Sequence, residues 1–144
     1  PVETFELSTR EPDVAQTVLT EFYRLERPLE FAGVPRSFSC EFRSATAGSL
    51  GADRLRFTAG MRCSVPPLGD FVVVSPAGGS VRYAAGREQV DARPGVVARH
   101  PNDVTLRSEW GDLDLRVVRL PLAVIERVAE ERLGVPGADL RFEG

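Results

Sequence analysis

Asp53-Arg54-Leu55-Arg56-Phe57-Thr58-Ala59-Gly60-Met61-Arg62-Cys63-Ser64-Val65 alternates apolar and polar residues in two runs, with Gly60 between them. A period of two marks a strand with one buried face. Leu55 and Phe57 are therefore expected on one face and Arg54 and Arg56 on the other. Pro66-Pro67-Leu68-Gly69-Asp70 reads as a loop. Phe71-Val72-Val73-Val74 is continuously apolar, the pattern of a strand covered on both sides.

The same pattern extends outward from this stretch. Upstream, Phe38, Cys40, Phe42 and Ala45 lie in a mostly alternating run, preceded by a Gly33-Val34-Pro35 break. Earlier still, Val14, Val18 and Phe22 recur every four residues with Leu19 and Leu25 beside them, which predicts an amphipathic helix over residues 12–25. Pro12 opens that helix and Pro28 ends it. Residues 5–9 alternate like a short strand.

Downstream, Ser80 to Ala84 lies between Ala77-Gly78-Gly79 and Ala85-Gly86-Arg87, and Gly86 is expected to close a hairpin to Glu88-Gln89-Val90. Further strands are expected at residues 96–98, 104–106 and 113–120, the last two split by a Gly111-Asp112 turn. The period then changes. Pro121 opens a helix with Leu122, Ile125, Ala129 and Leu133 along one face, and Gly134 stops it. Residues 135–144 form a tail punctuated by glycine and proline. About nine short strands with a helix at each end predict a mainly β domain: a closed jelly-roll β-barrel flanked by an N-terminal and a C-terminal α-helix. The order of Trp110 after both cysteines disfavours an immunoglobulin-like sandwich.

The chain of 144 residues suits one domain over residues 1–144, with enough apolar residues to build a core. Its net charge is -3, and its basic residues, all arginine, are scattered among acids. A surface that neutralises phosphates shows a basic stripe, so this piece alone is not expected to bind nucleic acid. Cys40 and Cys63 fall inside strand-like stretches and read as buried free thiols, with a single disulfide as the alternative that sequence leaves open. No apolar run is long enough to span a bilayer and no secretory signal opens the chain, so a cytoplasmic protein is expected. The first residue is not Met and is expected to be a trimming boundary.

Three segments carry a family resemblance by their order and spacing. They are Pro67-Leu68-Gly69-Asp70-Phe71-Val72-Val73-Val74 followed by a glycine hairpin, residues 86–101 from Gly86-Arg87-Glu88-Gln89 to Arg99-His100-Pro101, and Leu113 to Pro121 running straight into a helix. Together they resemble the effector domain of AraC-type transcriptional regulators, over most of residues 5–133. The resemblance implies a cupin-like barrel that binds a small effector, pairs two subunits, or both. It also implies a separate DNA-binding domain with two helix-turn-helix units, so DNA would be bound only through that domain, absent from this chain.

Metal-holding cupins use two closely spaced histidines, a carboxylate and a further histidine. This chain has one histidine, His100, and a transition-metal site needs about three or four ligands. No metal and no other cofactor are expected, and His100 reads as a loop or pocket-edge residue held by hydrogen bonds. Ser75 and Ser80 lie in no nucleophile elbow and the glycines form no phosphate loop. Catalytic residues are therefore not expected, and the leading reading is non-enzymatic. A free-standing cupin-like enzyme and an effectorless dimerisation scaffold are the alternatives. The candidate pocket residues are Phe42, Phe57, Phe71, Tyr83 and Trp110, which suit an apolar ligand wall, with Arg56 or Arg82 to pair an acidic effector. A stripe of Leu122, Ile125, Ala129 and Leu133 is the candidate homodimer seam. Reading the gene onward from the codon for Gly144 is expected to reveal two helix-turn-helix units in frame; a stop codon there would favour the alternatives.

Overall fold

The structure is a computed structural model and describes residues 1–134 and 136; the tail expected at residues 135–144 lies otherwise outside the described residues. Along the chain run β1 (Val2–Thr9), α1 (Pro12–Phe22), β2 (Glu30–Ala32), β3 (Ser39–Ala47), β4 (Leu50–Thr58), β5 (Met61–Val65), β6 (Asp70–Ala85), β7 (Glu88–Ala92), β8 (Ala98–Arg99), β9 (Leu106–Pro121) and α2 (Leu122–Leu133). The strands join in one antiparallel sheet.

β6 and β9, 16 residues each, pair along most of their length and form the spine. On its other side β9 pairs with β4 through residues 113–119 and with β5 through residues 106–110. β4 and β5 thus behave as one long strand interrupted at Ala59-Gly60. β3 and β1 continue the sheet beyond β4, β2 continues it beyond β5, and β7 and β8 pair with β6.

Two expected turns prove to be bends within continuous strands. The chain stays paired through Ala77-Gly78-Gly79 and through Gly111-Asp112, with register shifts between Pro76 and Gly78 and between Gly79 and Val81. A bulge lets a strand fold over without breaking the ladder. Gly79 has φ +74°, and a Cβ placed on it would collide with the carbonyl oxygen of Asp112. The Asp112 carboxylate accepts a 2.5 Å hydrogen bond from the backbone N–H of Ala59, which has φ 76°. The three long strands therefore bend at one line. The product is a curled half-barrel, cupin-like in form, in place of a fully closed one.

Alternation decides which side chains enter the curl. In β4, Asp53 and Phe57 are buried and Leu55 is half-buried, while Arg54 and Arg56 are exposed. Cys40 and Phe42 of β3, Val72 and Val74 of β6, and Leu113, Leu115 and Val117 of β9 are buried on the same face. α1 covers part of it, burying Ala15 and Leu19. The helix ends at Phe22, earlier than residue 25, because Arg24 turns left-handed (φ 52°). The following segment is pinned back: Leu29 N–H donates to Thr20 Oγ1 at 3.1 Å, and Gln16 Nε2 donates to the Leu29 carbonyl. The hairpin at Gly86-Arg87 forms as expected, with Ala85 opposite Glu88.

α2 runs from Pro121 at its N-cap to Gly134 in the left-handed conformation (φ 66°), and packs against β9 and β6. Its expected apolar stripe is divided. Ala129 is buried, Leu122 and Ile125 are half-buried, and Leu133 is 71% exposed.

Replacing Gly79 with Ala is expected to destabilise the domain by about 3 kcal/mol, because a left-handed φ and a backbone collision act together. Gly48 also has positive φ but open space around it, so Gly48→Ala is expected to cost only about 1 kcal/mol. Urea denaturation of the two variants checks the difference.

Candidate functional site

The curl holds a partly open cavity of about 110 Å³. Phe57 from β4, Cys63 and Val65 from β5, Val81 and Tyr83 from β6, and Ser108 and Trp110 from β9 form its wall. Leu19, Tyr23, Leu25 and Leu29 cover it from α1 and the segment that follows. His100, just past β8, contributes from one side. No charged side chain lines the cavity among the described residues.

Three residues of this apolar wall each carry a polar atom that is itself buried. Tyr83 Oη, His100 Nε2 and Trp110 Nε1 are buried and have no hydrogen-bond partner among the described residues. An unpaired buried donor or acceptor costs roughly 1–3 kcal/mol. The Trp110 ring is held against Phe57, centroids 5.0 Å apart. Tyr83 lies opposite Ser108 across the β6–β9 ladder. His100 is anchored by its backbone N–H, which donates to Val72 O at 2.8 Å.

The His100 ring is also fixed in tautomer. Its Nδ1 lies 2.9 Å from the Pro101 carbonyl oxygen, which can only accept, so Nδ1 carries a hydrogen. Burial lowers the imidazole pKa; the bond to Pro101 opposes this and the Arg99 guanidinium reinforces it. The ring is neutral near pH 7, and Nε2 presents a lone pair. Burial alone pushes the Tyr83 phenol above its ordinary value, so it keeps its proton.

Beside the cavity lies a buried ion pair that the sequence did not announce. Arg119 grips Asp53 with two bonds, Nε to Oδ2 at 2.7 Å and Nη2 to Oδ1 at 3.0 Å. Arg119 Nη2 also donates to Ser44 Oγ at 3.0 Å, and Tyr23 Oη donates to Asp53 Oδ2 at 2.8 Å. The guanidinium lies over the Phe22 ring, 5.0 Å from its centroid, and occupies the space where a Cβ on Gly51 would sit. Burial, followed by the Asp53 charge, holds the Tyr23 phenol well above its usual range. The network joins α1 to β3, β4 and β9 next to the cavity cover.

Residues 23–143 match the family model for the AraC-binding-like domain. The chain belongs to this family. Among solved structures, the AraC-like transcriptional activator CuxR matches this AraC-binding-like domain with a TM-score of 0.72 at 13% identity, over 93% of this chain and 53% of that one. The chain thus spans about half the length of that activator. The EutQ protein of Clostridium difficile matches with a TM-score of 0.51 at 12% identity, over 60% of this chain and 71% of that one. At such identities the likeness speaks for the fold alone. No curated protein sequence matches the chain.

Of the expected pocket residues, the AraC-binding-like domain brings Phe57, Tyr83 and Trp110 to the cavity. Phe42 is buried, but under α1, its ring 4.8 Å from Phe22, and it does not line the wall. Phe71 lies half-buried off the cavity. Arg56 and Arg82 point outward, their side chains 57% and 58% exposed, and pair with Glu41 and Asp91 on the outer face. Alternation explains both, since each neighbours an inward aromatic in its strand. Neither arginine is placed to meet a ligand in the cavity. Sequence reasoning passed over Tyr23 and Ser108, while His100, read as a loop or pocket-edge residue, and Cys63, read as a buried thiol, both line the wall. Asp53 did carry a signal: it is an acid in phase with the apolar residues Leu55 and Phe57.

The cavity residues do not fit a metal. Its wall offers His100 and Cys63 as ligands, and among the described residues no group of three His, Cys, Asp or Glu is placed to hold an ion. Cys40 and Cys63 are both free and buried, and burial, aided at Cys40 by Glu41, pushes both thiols up to about 12.

Removing one partner of a buried ion pair leaves an uncompensated charge, at a cost of roughly 3–5 kcal/mol. Asp53→Ala is expected to destabilise by that order, and the double change with Arg119→Met by less than the sum of the two single changes; a double-mutant cycle in urea checks this. A second expectation concerns pH. His100 has a folded pKa below its unfolded value near 6.5, so the unfolded chain takes up the proton first as pH falls. This contribution is complete above pH 6.5 and is lost as pH drops toward the folded pKa. His100 is the chain's single histidine, so His100→Gln is expected to flatten the fall in urea midpoint between pH 7 and pH 5.5.

Proposed function

We propose that this domain is the regulatory half of an AraC-type transcriptional regulator and that it binds a small effector in the cavity beneath α1. One observation carries the reading: a partly open, almost wholly apolar cavity lies inside the curl, and its wall includes Tyr83, His100 and Trp110, each with a buried polar atom lacking a partner among the described residues. A binding pocket has this composition, mostly apolar with a few convergent polar groups. The family membership supports the regulatory role, and DNA recognition would belong to a separate domain. A non-enzymatic role is supported by the family membership and by thiols held at about 12, too high for ready nucleophiles. Two buried free thiols accord with a reducing, cytoplasmic setting, and among the described residues no helix is long and apolar enough to cross a membrane.

We also propose that α2 pairs two copies of the chain. Val128 and Leu133 stand 46% and 71% exposed on this helix, apolar surface that a second copy would cover. Ala129, expected in that seam, is buried against its own subunit and would not contribute.

A thermal-shift screen of small molecules is expected to yield compounds that raise the Tm of the native domain, by an amount set by the ratio of concentration to Kd. The same compounds are expected to lose their effect on Ser108→Leu, whose larger side chain intrudes on the cavity. Retention of the effect in that variant would place binding elsewhere. For the seam, Leu133→Glu is expected to convert a dimer to a monomer in light scattering, and a native protein that is monomeric at high concentration would refute the pairing.

A further inference from the structure

The chemistry of the cavity surface limits what can enter it. Phe57, Val74, Val81, Leu115 and Val117 supply hydrocarbon, and the surface as a whole is almost wholly apolar. The polar atoms of Tyr83, His100 and Trp110 are themselves buried and form no part of that surface. Tyr23 Oη is committed to Asp53 at 2.8 Å. The Arg119 guanidinium bonds Asp53 and Ser44 beside the cavity and does not line it. Apart from the Cys63 thiol, a weak partner, the wall side chains leave one hydroxyl for a ligand to meet, that of Ser108.

Each class of ligand meets this surface differently. A carboxylate, phosphate or ammonium group would shed its water against a wall with no counter-charge. A sugar would bring several hydroxyl groups to a single partner and leave the others unsatisfied. A hydrocarbon has no hydrogen bonds to lose, and burying it is favourable. Water competes poorly for such a space, because a buried water needs about two to four polar partners. Size adds a limit. An apolar cavity of about 150 Å³ in a protein of another fold takes up benzene, so this somewhat smaller one suits roughly five to seven heavy atoms. Phe31, Phe57 and Trp110 add aromatic rings to the wall, and rings favour edge and offset contacts with another ring.

We propose that the cavity takes a small uncharged hydrocarbon, of which benzene is the simplest aromatic member, held by contact and shape without a hydrogen bond. This assignment rests on the reading of the cavity as the effector site and narrows it. A regulator with such a sensor responds to a hydrocarbon itself and not to its hydroxylated or carboxylated products.

Trp110 is the only tryptophan in the chain, so its indole N–H gives a single resonance in a 15N-labelled sample. Its ring lines the cavity, and an aromatic guest there would move that signal. The probes are benzene, phenol and benzoate at pH 7. Benzene is expected to shift the signal saturably, phenol to do so with a Kd at least about fivefold higher, and benzoate to leave it unmoved. Ser108→Leu is expected to abolish the benzene shift, and Ser108→Ala to preserve the order of benzene before phenol. Retention of benzene binding in Ser108→Leu would place the hydrocarbon outside the cavity and overturn the proposal. Should that variant fail to fold, nuclear Overhauser contacts from benzene to the methyl groups of Val81 and Leu115 take its place, and their absence would be equally decisive. Phenol binding as tightly as benzene would show that a hydroxyl is recognised, and loss of that parity in Ser108→Ala would assign the recognition to Ser108. Binding of benzoate in preference to benzene would overturn neutrality. In both cases the cavity remains the effector site. If no probe moves the signal, the hydrocarbon assignment falls, and the effector site falls with it only if the thermal-shift screen also finds no compound that Ser108→Leu silences.

Discussion

The approach of Gly79 to the Asp112 carbonyl is the constraint on which the architecture turns. Strands of 16 residues, paired without interruption, would form a long twisted ribbon with two open faces. Two register shifts and a residue without a side chain let β6 fold sharply where it crosses β9. The Asp112 carboxylate transmits the same bend to the β4–β5 junction through the Ala59 N–H. A flat sheet has no inside; this bend creates one, and the cavity is its direct product.

What fills that inside is sorted by charge. Outer-face arginines make ion pairs in water, such as Arg54 with Asp114 at 2.6 Å, and contribute little to stability. Arg119 lies on the inner face, with its guanidinium doubly bonded to Asp53 and further satisfied by Ser44. Such a pair is tolerated because Nε and Nη2 of Arg119 and both carboxylate oxygens of Asp53 have partners. Its worth to the fold is in position: through Tyr23 it fixes the end of α1 against the sheet, and so sets the height of the cavity cover. On the cavity wall, by contrast, Tyr83, His100 and Trp110 each keep a buried polar atom without a partner among the described residues.

Period-two alternation made the strands legible in the sequence and set Arg54 and Arg56 on the face opposite Leu55 and Phe57, but not which face turns inward, since a shift of one residue exchanges the two. Only the folded sheet shows that Arg56 faces water and not the cavity. The glycines at 78, 79 and 111 look like turn residues to any local reading, because a bulge and a turn use the same freedom. Only the ladder between distant strands distinguishes them. Arg119 and Asp53 are 66 residues apart, and His100 takes its buried place from the pairing of β8 with β6, so neither had a local signature. Tyr23 lies one residue past the helix end, outside the face that periodicity selects. The helices were the easiest to read, and the division of the α2 stripe the hardest, since it depends on which edge of the half-barrel the helix meets.

The two cysteines make the molecule a clock for its own opening. At about 12, neither thiol forms appreciable thiolate in a neutral buffer while it stays buried, so alkylation waits on exposure. Cys63 stands on the cavity wall beneath the cover, whereas Cys40 is fully buried in the core and off that wall. Lifting the cover uncovers the first, and release of the core uncovers the second. The ratio of their modification rates therefore separates breathing of the cover from wholesale unfolding, with no foreign label added to the chain.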